Sequence, residues 1–405
     1  MALISLALAA SAALAWALAT HEPIWGWAVL VGLLLLVLAD WALLASLPRR
    51  GLSFGAVQPP LLAWALLRTI LVVLAAPLAA QWLLPVGLTL AVAQLLLWIL
   101  LAHGTLVEPF RVQVTNIAVP NSTLGNPAPP LRIVQLSDLH VERLTPRDRS
   151  LPARVGNLSP DLIMLTGDFL STSYNDDPRA LADLAVLLGQ LHAPGGIYAV
   201  WGTQDVDLPE VLRPTMEELG IVILEDRAQE IEVASRRLWL MGVSPTRDLA
   251  ADTARLAELV AAAPAGIPKL LLYHTPDLMP RAAALGIDLY LAGHTHGGQW
   301  RLPGFGAILT SSRYWKRYEA GLYCQGKTYM YVCRGLGLEG FGAPRARFFC
   351  PPESCDGILS RCGSMRTSSS FIATMISTIF ESTEKCSRMG RAMFSATVIE
   401  LNSAP

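Results

Sequence analysis

An excess of one charge is missing from this chain of 405 residues: 31 Lys and Arg stand against 32 Asp and Glu, a formal net charge of −1. With no basic excess, the composition gives no reason to expect nucleic acid or a strongly anionic polymer as a partner. Cysteine is scarce as well. Cys324, Cys333, Cys350, Cys355, Cys362 and Cys386 all lie in the last quarter. They lack the CxxC spacing of a zinc site and read as structurally incidental. Charge of any sign is nearly absent from the first 105 residues, which are mostly Ala, Leu, Val and Trp.

Crossing the hydrocarbon takes roughly 20 mostly apolar residues. The stretches 2–19, 24–47, 61–83 and 86–102 each qualify, so residues 1–105 are expected to form about four transmembrane helices in the cell membrane. The first stretch has no basic n-region and is followed by more spans, which favours an anchor over a signal peptide. Arg49 and Arg50 make the clearest basic loop, and the positive-inside rule then puts the soluble domain in the cytoplasm. Asp40 and Arg68 fall at similar depths in neighbouring spans and are expected to pair, because charges in lipid pair or line a polar path. A structural ion pair is favoured over a transport route, since these helices offer few other polar residues.

From residue 107 to 352 short apolar runs alternate with helical patterns, the signature of α/β layers. Strand-like runs occupy 131–136, 162–166, 197–201, 238–241, 270–273 and 289–292, and helical spacing occupies 177–192, 208–219 and 253–263. After Gln299 the pattern turns to short strands with Gly-rich turns, 320–323 and 329–333, as in antiparallel strands closing a second sheet. An acid or histidine group follows each of four strands: Asp138-x-His140, Gly167-Asp168, His274 and Gly293-His294-Thr295-His296. In α/β sheets the loops leaving the carboxyl ends of strands converge on one crevice. Carboxylates and imidazoles meeting there make an N/O site for divalent transition metals.

That order of motifs resembles the calcineurin-like metallophosphoesterases over residues 131–352. The stretches Gln135–His140, Gly293–Gln299 and Arg334–Gly337 are similar to a membrane-associated branch of that family. The resemblance implies two sheets packed as a sandwich, flanked by helices, with two divalent metals (Mn, Fe or Zn) at the strand ends. Asp138, His140, Asp168 and His296 would hold one metal, and Asp168, His274 and His294 the other, with Asp168 bridging. Two ions so held clamp a phosphoryl group during in-line displacement. The third family element, Gly-Asn-His-Asp or Gly-Asn-His-Glu, reads Gly202-Thr203-Gln204-Asp205 here. Thr203 then stands where an Asn would ligate the second metal, and Gln204 where a His would protonate the leaving group. Asp168, Gln204 and Asp205 are the candidates for catalytic roles.

The function expected on this basis is hydrolysis of a phosphodiester or pyrophosphate bond, favouring good leaving groups. The expected substrate is a phosphorylated small molecule or lipid, such as a lipid-linked compound or an envelope precursor. The alternative is a catalytically weak metal-binding module that uses its helices as a membrane scaffold or sensor. Arg334 and Arg347 offer guanidinium groups suited to phosphate, and the segment Arg313–Tyr318 reads equally as a contact for a lipid headgroup or phosphate and as a solvated face of the second sheet. The Ser-, Met- and Cys-rich tail 353–405 abandons the alternating pattern. It is expected to be disordered or an out-of-frame replacement of the terminus, and no function is assigned to it.

Overall fold

The computed structural model describes residues 2–120, 131–338, 346–356 and 399–402. The apolar half forms three helices, α1 (Ala2–Thr20), α2 (Pro23–Ser46) and α3 (Gln58–Leu106). All three are long and apolar enough to cross a membrane. Four spans were expected, and α3 takes up the last two of those stretches, 61–83 and 86–102, in one helix. Arg68 Nη1 donates to the backbone carbonyl and the Oε1 of Gln94 at 3.0 and 2.8 Å. In a straight helix these residues would stand about 39 Å apart, at 1.5 Å per residue. The helix therefore doubles back at Trp82, whose φ of −130° and ψ of 47° are non-helical, between Pro77 and Pro85.

The expected ion pair closes this bundle. Arg68 Nε and Nη2 donate to the two carboxylate oxygens of Asp40 at 2.9 and 3.0 Å, and both side chains are fully buried. With Gln94 taking Nη1, the guanidinium is satisfied on every side. Apolar packing around Trp16, Leu33 and Val72 fills the bundle elsewhere.

The soluble half is a sandwich of two sheets. Its strands run in chain order from β1 (Gln113–Pro120), β2 (Leu131–Leu136), β3 (Leu162–Leu165), β4 (Ile197–Ala199) and β5 (Val222–Ile223) to β6 (Arg227–Val233), β7 (Arg236–Gly242), β8 (Lys269–Leu272) and β9 (Leu289–Ala292). A small hairpin, β10 (Arg301–Leu302) with β11 (Gly306–Ala307), precedes β12 (Gly321–Gln325) and β13 (Thr328–Val332). The last strands are β14 (Glu353–Asp356) and β15 (Ile399–Asn402). One sheet has the order β14-β1-β15-β2-β3-β4-β5 and the other β12-β13-β9-β8-β7-β6. Strands β2 to β5 are parallel, as are β7, β8, β9 and β13. Parallel strands need cover on both faces, which is why β3 and β9 are apolar without alternation.

Three apolar layers follow from that. Ile133, Met164 and Val200 of the first sheet meet Leu240, Leu270 and Leu291 of the second between the sheets. Helices α4 (Pro146–Asn157), α5 (Pro178–Leu188) and α6 (Pro209–Glu218) cover the first sheet's outer face. Helices α7 (Leu249–Ala261) and α8 (Met279–Ala284) cover the second. Helix α7 begins four residues before the expected start, because Asp248 caps it by accepting from the N–H groups of Ala250 and Ala251. Of the tail, Glu353–Asp356 and Ile399–Asn402 are strands. The reading of it as disordered or out of frame otherwise falls outside the described residues.

The two halves interlock. The Phe54 N–H, in the loop between α2 and α3, donates to Glu142 Oε2 at 2.8 Å, and the Phe54 carbonyl accepts from the Tyr174 hydroxyl at 2.7 Å. Trp64 of α3 packs against Trp300 and Phe348, with ring centroids 6.2 and 6.0 Å away. The last turn of α3 lies so close to Phe348 that a Cβ at Gly104 would run into its ring. The Arg347 N–H donates to the Gly104 carbonyl at 3.0 Å. The loop of Arg49 and Arg50 and the soluble half thus lie on the same side of the bundle.

Candidate metal centre

Every strand-end loop expected to carry a ligand delivers it to one place. Asp138 and His140 follow β2, Asp168 follows β3, Thr203 follows β4, His274 follows β8, and His294 and His296 follow β9. They form two groups, Asp138 with His140 and His296, and Asp168 with His274 and His294, each able to surround one ion. An Asp168 carboxylate oxygen stands between the groups, 3.6 Å from His140 Nε2 and 3.3 Å from His274 Nε2. The two groups are therefore one centre.

The backbone is bent to achieve this. Asp138, His140, Asp168, His294 and His296 all have φ between 42° and 68°. Non-glycine residues seldom adopt that left-handed region, and such strain gathers at functional sites. Gly167, at φ +89°, makes the turn before Asp168. Gly293 serves by close approach, since a Cβ there would run into Ser137 Oγ and the Asp138 carboxylate.

Supporting contacts aim the ligands. His274 Nδ1 lies 2.7 Å from the Thr166 carbonyl, an acceptor that fixes the proton on Nδ1 and leaves the Nε2 lone pair facing the centre. That lone pair meets other acceptors, Asp168 at 3.3 Å and His294 Nδ1 at 3.2 Å. Across the centre, His140 Nε2 and His296 Nε2 face each other at 3.1 Å. Buried acceptors arranged against acceptors are costly unless a cation sits among them. The donor set fits borderline divalent metals such as Mn, Fe or Zn.

The electrostatics agree. Burial would raise the Asp168 carboxyl, but the imidazoles of His274, His140 and His294 outweigh it and hold the group well below the carboxylate range. Burial and the neighbouring His274 push His294 down to about 4. Burial and His140 push His296 further below its ordinary value. Both are thus neutral near pH 7, as ligands must be. Burial opposes charge on His274 as well, yet the carboxylates of Asp168 and Asp138 raise it to about 10, so a proton and a metal ion compete for its Nε2 lone pair. The acids draw positive charge to this point.

The Gly202–Asp205 element divides. The Thr203 N–H donates to Asp168 at 2.6 Å, and its hydroxyl lies 3.4 Å from both Asp168 and His274 Nε2, on the rim of the second group. Gln204 is exposed and lines the cavity above that group. Asp205 turns outward and pairs with Arg247, so it does not reach the ligands. The acid that does the inward work is Asp207, which sequence reasoning missed. It accepts from the N–H groups of Asp168, Phe169 and Gly202 at 2.8, 2.8 and 2.7 Å and so fixes two strand-end loops together.

Arg334 and Arg347, suggested as phosphate contacts, are spent internally. Arg334 pairs with Glu353 at 3.0 Å. Arg347 is wholly buried and donates to the carbonyls of Arg334, Gly335, Gly337 and Cys350, with Nη2 also 3.4 Å from His296 Nδ1. Arg313, by contrast, does line the cavity with His274 and His294.

No model of a protein family matches the chain. It is similar to the phosphodiesterase YaeI of Escherichia coli, 33% identical over 233 residues that make up 56% of this chain and 81% of that protein. It is 29% identical over 263 residues to the metallophosphoesterase YkuE of Bacillus subtilis, covering 62% of this chain and 86% of the relative. The UDP-2,3-diacylglucosamine pyrophosphatase LpxG of Chlamydia muridarum is 28% identical over 284 residues, 57% of this chain and 83% of that protein.

Proposed function

The chain belongs to the calcineurin-like metallophosphoesterases, hydrolases of phosphoric ester bonds, and from that premise we propose that it cleaves a phosphodiester or pyrophosphate bond of a lipid-linked substrate at the membrane surface. The observation that carries this reading is the pair of ligand groups joined through Asp168, set beside three helices long and apolar enough to cross a bilayer. Asp138, His140, His296 and Asp168 would hold one divalent ion; Asp168, His274 and His294, with the Thr203 hydroxyl, would hold the other. Such ions neutralise charge on the phosphoryl group and supply a nucleophile at neutral pH.

The chain's own residues set the substrate preference. A glutamine amide cannot give up a proton, so Gln204 leaves the departing oxygen without a general acid, a contribution worth roughly 10²–10⁴-fold elsewhere. Phosphate and aryloxide leave without one; alkoxides do not. The lipid-linked assignment is supported by the pyrophosphatase LpxG among the relatives and by the interlocked helices, which hold the centre near the bilayer. The cytoplasmic side is our assignment, supported by Arg49 and Arg50 on the same side as the soluble half.

The test is hydrolysis of bis-p-nitrophenyl phosphate by the purified full-length protein with Mn²⁺, after chelation, and with Asp168→Asn. Turnover that needs metal and is lost with Asp168→Asn is the expected result. Metal binding without turnover under any metal would overturn it and favour a metal-binding scaffold, the reading that Thr203 and Gln204 keep open.

A further inference from the structure

Beyond the ligands, the cavity over the second group, about 190 Å³, is lined by Thr203, Gln204, His274, His294, Arg247 and Arg313. A second cavity, of about 360 Å³, shares Arg313 and Leu249 with it and adds Ala250, Thr253 and Arg281. The charge along this groove is uneven. Arg247 is neutralised by Asp205. The acids of the first cavity are also occupied. Asp252 accepts from Tyr273, Thr246 and Arg255, and Asp277 accepts from the Ser312 hydroxyl and the Arg313 N–H. The Arg281 and Arg313 side chains are exposed, and among the described residues neither makes a hydrogen bond or an ion pair. Arg281 and Arg313, the latter also acting with its charge on the Asp277 carboxylate, thus flank a groove made of the two adjoining cavities, with no side-chain hydrogen bond to either among the described residues.

Resting on the reading above, we propose that this groove is a second anion subsite, which takes the phosphate next to the one under attack. The preferred bond is then the P–O–P bond of a diphosphate diester. Guanidinium groups suit phosphate oxygens, and charge-assisted pairs of this kind are the strong ones. The groove's position also orients the substrate. It departs from His294 and Thr203, whereas the membrane-loop residues Leu52 and Ser53 share a crevice with His140 on the opposite ligand group. The water-soluble half of the substrate lies along Arg313 and Arg281, and the lipid half lies towards the loop.

The chemistry balances without Gln204 as an acid. A water oxygen forms the new bond to one phosphorus and loses its proton to solvent. The bridging P–O bond breaks, and its electron pair leaves on the second phosphate. That leaving group is stable as an anion, held by the two arginines.

The test compares a non-hydrolysable diphosphate with a monophosphate mimic. Methylenediphosphonate and methylphosphonate are titrated calorimetrically into the Mn²⁺-loaded full-length protein, wild type and Arg281→Gln/Arg313→Gln. The proposal expects the diphosphonate to bind at least about tenfold more tightly to the wild type, and the double variant to lose most of that margin. Both positions are exposed, so the variant should fold, which its thermal transition checks. Equal binding of the two probes, or a margin that survives in the double variant because the metals alone create it, overturns the subsite. Failure of bis-p-nitrophenyl phosphate hydrolysis would instead sink the enzymatic reading, since the margin is an equilibrium quantity.

Discussion

Asp40 and Arg68 in the helical half are buried, as are the acids and histidines of the metal centre apart from the half-buried His294, but the two groups are arranged in opposite ways. In the helical bundle each donor meets an acceptor. Arg68 is matched by both oxygens of Asp40 and by Gln94, and the group is closed on itself. In the sandwich acceptors meet acceptors, carboxylate against imidazole and imidazole against imidazole at 3.1–3.6 Å, and the group closes only around cations. The difference teaches how to tell a structural charge from a working one. Burial and proximity are common to both, and the balance of donors against acceptors separates them.

Substitutions can break that comparison. The largest effect is expected at Asp168, which serves both ligand groups. Asp168→Asn should cut turnover well beyond the roughly 10–100-fold cost of losing a residue that only orients a ligand. A milder loss in the bis-p-nitrophenyl phosphate assay would mean that the two groups do not share it. Next comes the closed pair. Asp40→Ala leaves Arg68 buried and unmatched, at a cost of about 3–5 kcal/mol. Adding Arg68→Ala should cost little more, as read from the yield of folded protein and its thermal transition. Simple additivity of the two losses would show that each charge has business elsewhere.

The third change sharpens the contrast within the metal centre. Thr203→Asn with Gln204→His restores a carbonyl ligand and a proton donor and should raise turnover by about 10²-fold, most of all on alkyl esters. Flat activity would mean that this loop is misassigned. The smallest effect is expected from Asp207→Asn, where an amide NH₂ would face the backbone N–H groups that the carboxylate now accepts. Metal affinity, measured by competition with a chelator, should fall about 10–100-fold while the fold persists.

The gathering of six acids and histidines at one centre was legible in the sequence because each sits one to four residues past an apolar run, and the end of a strand fixes where its loop begins. The layered fold was legible for the same reason, since Leu162–Leu165 and Leu289–Ala292 can only be covered on both faces. What escaped depends on distances that no local pattern encodes. Asp205 and Asp207 look equivalent in sequence. The tight turn in which the N–H groups of Val206 and Asp207 both donate to the Thr203 carbonyl sends one outward and the other inward. Arg347 resembled a phosphate contact because its partners are backbone carbonyls, which a sequence does not display. The doubling of α3 at Trp82 was visible as two apolar stretches, and the contact between Arg68 and Gln94 that proves it was not.

The close seat of Phe348 on Gly104 has a practical consequence for handling the protein. Sequence composition places a boundary near residue 105, and cutting there to obtain a water-soluble catalytic fragment looks natural. Such a cut removes Trp64 from the aromatic trio and strips the Gly104 carbonyl from the Arg347 N–H. It would lay Trp300 and Phe348 open to water, the latter next to Arg347, whose Nη2 lies 3.4 Å from His296 Nδ1. A fragment so made should be sticky and loosely metallated, and detergent-solubilised intact protein is the better starting material for crystallisation or assay.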